Sequence, residues 1–337
     1  MIAMTNTSGI QATRVQRLND RPVVEGRYVL YWMQQSQRAE MNHALEHAVR
    51  EANRQGRGVV VGFGLSDDYP EANLRHYAFM LEGLQETSRA LAKRGILMAL
   101  RRGSPPEAAL ELGRQASLIV CDRGYLKHQK AWRELVARRA RCCVVQVESD
   151  VVVPVEAASG KSEIGARTLR PRIHRQLTAY LVDLPASPVR RKTLDLAVPG
   201  LDLGDPGAVL KQLKIDRRVG PVPRFFKAGT SEAKRRFAGF IAERLARYDQ
   251  NHNQPQTDDI SHMSPYLHFG QVAPLYLALE IAKAPAPPEA KKAFLEELIV
   301  RRELACNLTH FTADYDMFGC LPNWAQQSLA EHRRDRR

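Results

Sequence analysis

The sequence predicts an α/β N-terminal domain built on a parallel, Rossmann-like sheet, followed by a smaller all-α half. Three observations carry this. Up to about residue 150, five short apolar runs of strand character alternate with amphipathic helical stretches. Through residues 151–229 the periodicity weakens and prolines recur, which reads as a long connector with short helical pieces. From residue 230 to 337 the apolar spacing is helical.

The first strand is Tyr28-Val29-Leu30-Tyr31-Trp32-Met33. Met41, Ala44, Leu45, Ala48, Val49 and Ala52 then recur on one helical face, and Gln55-Gly56 ends that helix. Residues 59–63 are a second strand. Tyr77, Met80, Leu81, Leu84 and Leu91 mark a second helix, stopped at Gly95 before a strand over 96–100. Pro105-Pro106 opens a third helix, because proline is tolerated in a first turn. Strand 118–121, a helix over 127–139 and strand 142–147 complete a domain spanning 24–150. Strands that are apolar throughout, rather than alternating, imply a parallel sheet covered on both faces. Ligands of such sheets sit at the carboxyl ends of the strands. No G-x-G-x-x-G or Walker loop is present, so a standard dinucleotide or P-loop site is not supported.

In the second half, Phe237, Phe240, Ile241, Leu245 and Tyr248 share one face of an expected helix whose other side carries Lys234, Arg235, Arg236 and Arg244. Residues 265–283 form a second, interrupted at Pro274. Residues 289–310 form a third, and a fourth begins after Pro322-Asn323-Trp324.

Of the 337 residues, 44% are hydrophobic and 26% charged, the balance of an ordinary globular chain. No stretch approaches the roughly 18 uninterrupted apolar residues of a membrane span. The first twenty residues lack the apolar core of a secretory signal, and a cytoplasmic location is expected. Five cysteines without a Cys-x-x-Cys pair exclude a disulfide framework and give no zinc spacing. Fifty Lys+Arg against 37 Asp+Glu leave a net charge of +13, which favours polyanionic partners such as nucleic acid and equally fits an arginine-rich solvated surface.

Three constellations bear chemistry. Ser261-His262-Met263-Ser264-Pro265 places Ser264 and Pro265 as N-cap and first residue of a helix. Free amides and nearby hydroxyls there suit a phosphate, and a plain capping motif fits equally. Glu297 and Arg301, at i and i+4, read as an ion pair bordering the apolar Leu298 and Ile299. Asp67, Asp68, Asp122 and Arg123 follow strands, where they serve as ligand contacts or as polar loop caps.

Seven collinear segments resemble class II cyclobutane pyrimidine dimer photolyases. They are YVLYWMQQSQRAEMNHAL at 28–45, FGLSDDYPEANLRHYAFMLEGL at 63–84 and VCDRGYLKHQKAWR at 120–133. VESDVVVPVEAASGKSEIGARTLRPRI follows at 147–173, then SPYLHFGQV at 264–272, FLEELIVRRELACN at 294–307 and YDMFGCLPNWAQQSLAEHRRDRR at 315–337. The resemblance implies a deoxyribodipyrimidine photolyase. Reduced FAD, excited by light, would give an electron to a pyrimidine dimer flipped out of DNA, and the cyclobutane bonds would open. It implies FAD contacts from Tyr248, Ser261, Met263 (through its backbone), Ser264 and Arg301, and hydrogen bonding of the dimer by Glu297 as the catalytic residue. An antenna chromophore, deazaflavin or folate, is the second cofactor it allows, held in the sheet domain. The partner is DNA containing pyrimidine dimers, with no obligate protein partner.

Two departures bear on this reading. His252 and Gln254 stand where the family has Arg and Asp. Photolyases of this class also continue past the position of Arg337, so a C-terminally truncated, partial FAD-binding domain is expected. It would lack further flavin helices and the relay tryptophans, to which Trp32, Trp132 and Trp324 do not belong. The alternatives are a catalytically inactive homologue that binds DNA or an antenna pigment, and a cryptochrome-like flavin photosensor.

Overall fold

The computed structural model describes residues 10–336; residues 1–9 of the polar N-terminal segment and Arg337 of the basic tail lie outside the described residues. Six strands form one sheet: β1 (Val15–Arg17), β2 (Tyr28–Trp32), β3 (Gly58–Leu65), β4 (Leu97–Arg102), β5 (Ala116–Asp122) and β6 (Cys143–Val147), in the order β1-β6-β5-β2-β3-β4. β2 to β6 are parallel, and β1 pairs antiparallel with β6. Helices α1 (His43–Arg54), α2 (Leu74–Lys93), α3 (Pro105–Gly113) and α4 (Lys127–Arg139) make the crossovers. Every residue of β2, β3, β5 and β6 is buried, because helices cover both faces. Val29, Tyr31, Val59, Val61 and Phe63 pack against α1 and α2, while Tyr28, Leu30, Trp32 and Val60 pack against the α3–α4 side. The chain winds from β2 out to β4, then returns to β5 on the other side of β2. The strand order therefore reverses between β2 and β5, the place where open α/β sheets bind ligands.

β1 escaped the sequence reading because three partly polar residues give no period to detect. The stretch 151–229 holds α5 (Val155–Ala158), α6 (Ala166–Tyr180) and α7 (Pro206–Gln212). α6 is a full 15-residue helix despite Pro171 inside it. Its Leu169, Ile173 and Tyr180 are buried in the core of the helical half, whereas Val209 and Leu213 join the core of the sheet domain.

The helical half contains α8 (Thr230–Glu243), α9 (Tyr248–Asn251), α10 (Ser264–His268), α11 (Pro274–Lys283), α12 (Pro288–Leu295), α13 (Arg302–Phe311) and α14 (Asn323–Glu331). The helix expected to run through Tyr248 is broken. Arg244 leaves helical geometry at φ −127°, and a short 3-10 turn follows before α9. Core packing overrides helix propensity here, since the break carries Leu245 fully inside and lets Tyr248 meet Phe240 and Phe294. α12 and α13 are one rod joined by a π turn, Glu296–Arg301. Among the described residues, no helix is long and apolar enough to cross a membrane.

The two halves meet through buried polar contacts. The Arg38 guanidinium donates to the Asp150 carboxylate at 2.8 Å and to the carbonyls of Ser149 and Gly270. Gly270 has φ +62°, and a Cβ there would meet the Gln35 carbonyl at 1.9 Å, so only glycine allows this approach. Across the α13 contact, the Glu303 carboxylate accepts from the backbone amides of Val152 and Val153. Burial pushes the Glu303 carboxyl up to about 8, against the lowering pull of those amides, Arg302 and Arg14. A carboxyl raised above its ordinary value binds its proton more tightly when folded. Its contribution to stability is full below about pH 4.5 and lost as the pH rises through about 8. In Glu303→Gln, the denaturant midpoint should therefore stay level from about pH 5 to 8, where that of the unsubstituted chain declines; two parallel curves would refute this.

Candidate active site

Tyr248 opens α9 and is 8% exposed. Its ring meets Phe240 edge-on at 5.7 Å and Phe294 at 5.3 Å, and His252 stacks on it at 4.8 Å with planes 18° apart. His252 is held there by Nδ1, which lies 2.7 Å from the Tyr248 carbonyl. Burial, with a smaller contribution from the Glu297 charge, pushes the Tyr248 phenol up to about 12, so its hydroxyl stays a neutral donor near neutrality.

The loop between α9 and α10 is pinned by Asp259, which accepts from Arg247 at 2.6 Å and from Asn251 at 2.6 Å. The Arg247 guanidinium, first among the causes, holds the Asp259 carboxyl below the usual range. His262 takes a left-handed conformation at φ +56° and bonds Asp258 at 2.6 Å. That turn brings the chain into helical geometry one residue sooner than the sequence suggests. Met263, 2% exposed, is the cap, Ser264 is the first helical residue and Pro265 the second. Ser264 is thus not the N-cap, and no side chain caps the first turn. The Ser261 hydroxyl accepts from the Met263 amide at 3.4 Å, and Ser264 is exposed. A left-handed residue followed by a right-handed one directs successive amides to one side, an arrangement that takes anions.

The expected Glu297–Arg301 pair does not form. Within the π turn, hydrogen bonds run i→i+5, which brings side chains five apart to the same side. Arg301 Nε accordingly lies 3.5 Å from Glu296, its partner five residues back. Glu296 also receives two bonds from Arg170 of α6, at 2.9 and 2.7 Å, and Arg170 is the main cause of its lowered carboxyl pKa. Glu297 is left exposed, with no hydrogen bond or ion pair among the described residues. The structure thus brings Tyr248 and Glu297 together across Phe294 and draws Arg301 toward Glu296. Ser261 and Ser264 make no hydrogen bond with this group among the described residues; Met263, between them in sequence, lies in the same core cluster as Tyr248 and Phe294. Arg170 and Glu296 carried no sequence signal of their own, because their pairing depends on the π turn; His252 stood out only as a departure from the family, and its stacking on Tyr248 depends on the break at Arg244.

At the carboxyl ends of the strands, a cavity of about 270 Å³ is walled by Gln34, Phe63, Tyr77 and Trp132 of the sheet domain and by Phe269 of the helical half. Asp122 lies beneath the β2 loop as a buried cap, Asp67 pairs with Arg102, and Arg123 pairs with Glu148 and Glu156. Lys234-Arg235-Arg236 is no free phosphate track: Lys234 pairs with Glu40, and both arginines grip Glu232.

Residues 29–189 match the DNA photolyase domain family. Over 331 residues, the chain is 44% identical to a deoxyribodipyrimidine photo-lyase of Methanothermobacter thermautotrophicus, covering 97% of this chain and 72% of that protein. The chain belongs to the DNA photolyase family. Photolyases so named from Potorous tridactylus and Arabidopsis thaliana are 34% and 35% identical, and the chain spans 58% and 64% of their lengths. The fold matches the crystal structure of a bacterial class III photolyase from Agrobacterium tumefaciens with a TM-score of 0.65 at 17% identity, covering 92% of this chain and 66% of that one. This photolyase-family chain thus has the α/β domain and helical half expected from its sequence.

Proposed function

We propose that the chain acts as a class II cyclobutane pyrimidine dimer photolyase, splitting dimers in DNA by light-driven electron transfer from reduced FAD. The observation that carries this is the 44% identity, over nearly the whole chain, to a deoxyribodipyrimidine photo-lyase. The residues present fit FAD. The uncapped first turn of α10, the left-handed His262 and the hydroxyls of Ser261 and Ser264 suit a pyrophosphate. The Tyr248 hydroxyl has no hydrogen-bond partner among the described residues and is free to donate to a ligand. Arg301, held toward Glu296, would supply a positive charge to the cofactor. Bound and reduced, FAD supplies the electron that opens the cyclobutane ring on illumination. Glu297 is the carboxyl left to hydrogen-bond the dimer bases and to steady negative charge as it develops. The cavity at the strand ends is the place for an antenna pigment, deazaflavin or folate.

The test is flavin content followed by repair. Purified from a flavin-replete host, the chain should carry close to one FAD and clear dimers from irradiated oligothymidylate only in light. Glu297→Ala should keep its FAD and lose at least about ten-fold in repair yield, since a group that stabilises developing charge is worth that or more. Undiminished yield would remove Glu297 from catalysis. FAD without repair would favour a cryptochrome-like photosensor, and absence of FAD an inactive homologue.

A further inference from the structure

On the α3–α4 side of the sheet, a cleft of about 810 Å³ runs between the end of β4, α3, the last turn of α4 and residues 199–201. Every residue lining it lies between 100 and 201, so the helical half takes no part. Five arginines line it (Arg101, Arg102, Arg114, Arg139 and Arg141) against two carboxylates, Glu107 and Glu111. Arg139 pairs with Glu107 at 2.7 Å and Arg101 with Glu111, which fixes both guanidinium groups in place. Arg102 pairs outside the cleft, with Asp67. Arg141 reaches only a backbone carbonyl, that of Glu25 at 2.7 Å, and Arg114 has no side-chain partner among the described residues. Three positive charges are thus in excess over the lining, and the buried Nε of Arg101 has no acceptor at all. Pro105 and Pro106 remove two amides from the first turn of α3, so the arginine side chains supply most of the donors to an anion here.

A solvated charged face would be convex and would not carry an apolar floor. This cleft has one, in the accessible Leu110, Pro199 and Leu201 above the buried Leu100 and Ile119, and its volume falls within the range of small-ligand sites. Guanidinium groups pair phosphate oxygens in forked geometry and also stack on flat rings. We infer that this cleft binds a nucleotide: the phosphates bridge Arg101, Arg114 and Arg141, and the ring lies on the apolar floor. A nucleic-acid strand is disfavoured, since its backbone would leave that floor uncovered.

The probe is methylanthraniloyl-ADP, titrated by fluorescence into the full chain with whatever flavin it carries, at about 0.15 M salt. Saturable binding is expected, displaced by ADP and not by adenosine. Arg114→Glu/Arg141→Glu should weaken it at least ten-fold. Neither arginine has a carboxylate partner to abandon, so the melting temperature should hold; Arg114→Ala/Arg141→Ala is the milder pair and should weaken binding in the same direction. Ser264→Ala, which alters the flavin-phosphate turn, should leave it unchanged, and this arm separates the cleft from the proposed FAD site. The inference is overturned by absence of binding up to about 1 mM or by equal affinity in the arginine variants. Loss on Ser264→Ala alone, or displacement by an oligonucleotide and not by ADP, overturns it as well.

Discussion

Asp122→Ala should destabilise the chain by about 3–5 kcal/mol, the upper end of what single substitutions do. Asp122 is buried, and its Oδ2 accepts the amides of Gln34, Gln35 and Ser36 at 2.9, 2.9 and 3.0 Å, while Oδ1 accepts the Tyr31 hydroxyl at 2.8 Å. One carboxylate therefore satisfies three successive amides of the loop that follows β2. Each buried donor left without an acceptor costs about 1–3 kcal/mol, and the loop recovers part of that by opening to water. Asp122→Asn keeps one acceptor oxygen and should fall between. Urea midpoints measure both, and a loss below about 1 kcal/mol for the alanine would show that the loop is held by other means.

Arg38→Met should cost a similar amount for a different reason. The Arg38 guanidinium is 1% exposed and ties Asp150 to the Ser149 and Gly270 carbonyls. Asp150 Oδ2 already lacks a partner among the described residues. Removing the cation leaves a buried carboxylate with only the Ser36 hydroxyl at 3.1 Å, and an uncompensated buried charge costs about 3–5 kcal/mol. Arg38→Met combined with Asp150→Leu removes both charges, so it should lose less than the two single changes added together. Strict additivity would mean that the pair does not interact. Because Arg38 also reaches Gly270, the single change should split unfolding into two transitions, the helical half melting first.

The sheet was legible because strands 28–32, 58–65, 97–102, 116–122 and 143–147 each carry a continuous apolar run, and the helices between them keep a clear period. What escaped was set by partners distant in sequence. Residues 34–40, between the expected first strand and first helix, carry no apolar period. Their order comes from Asp122 and Asp150, 86 and 114 residues away from Ser36. That loop fills the point where strand order reverses, so the strand-end cavity is displaced toward β3 and α2. α6 was hidden by Pro171 and four arginines on a helix whose apolar face is only a few residues wide. In the site, spacing alone placed Tyr248 at the end of a helix and paired Glu297 with Arg301. Core packing moved the first to the start of a new helix, and the i→i+5 turn dissolved the second. Nothing in the run EELIVR announces a π turn, since its residues suit an α-helix equally well.

That turn sets a phase. An α-helix advances about 100° per residue, and the π turn accommodates one residue more than the α spacing would. Deleting one residue from it would restore a regular rod and swing everything beyond it by about 100°. Glu303 would leave the amides of Val152 and Val153, and Asn307 would lose the amide of Glu163, which it now accepts at 2.7 Å. The extra residue lets one unbroken rod satisfy two angular demands: Glu297 facing outward at the start of the turn, Glu303 and Asn307 locked against the neighbouring segment beyond it. Two separate helices could meet the same demands only by adding two more termini, each with four backbone groups to satisfy. A one-residue register shift is the more economical joint, and it contains the carboxylate proposed to meet the lesion.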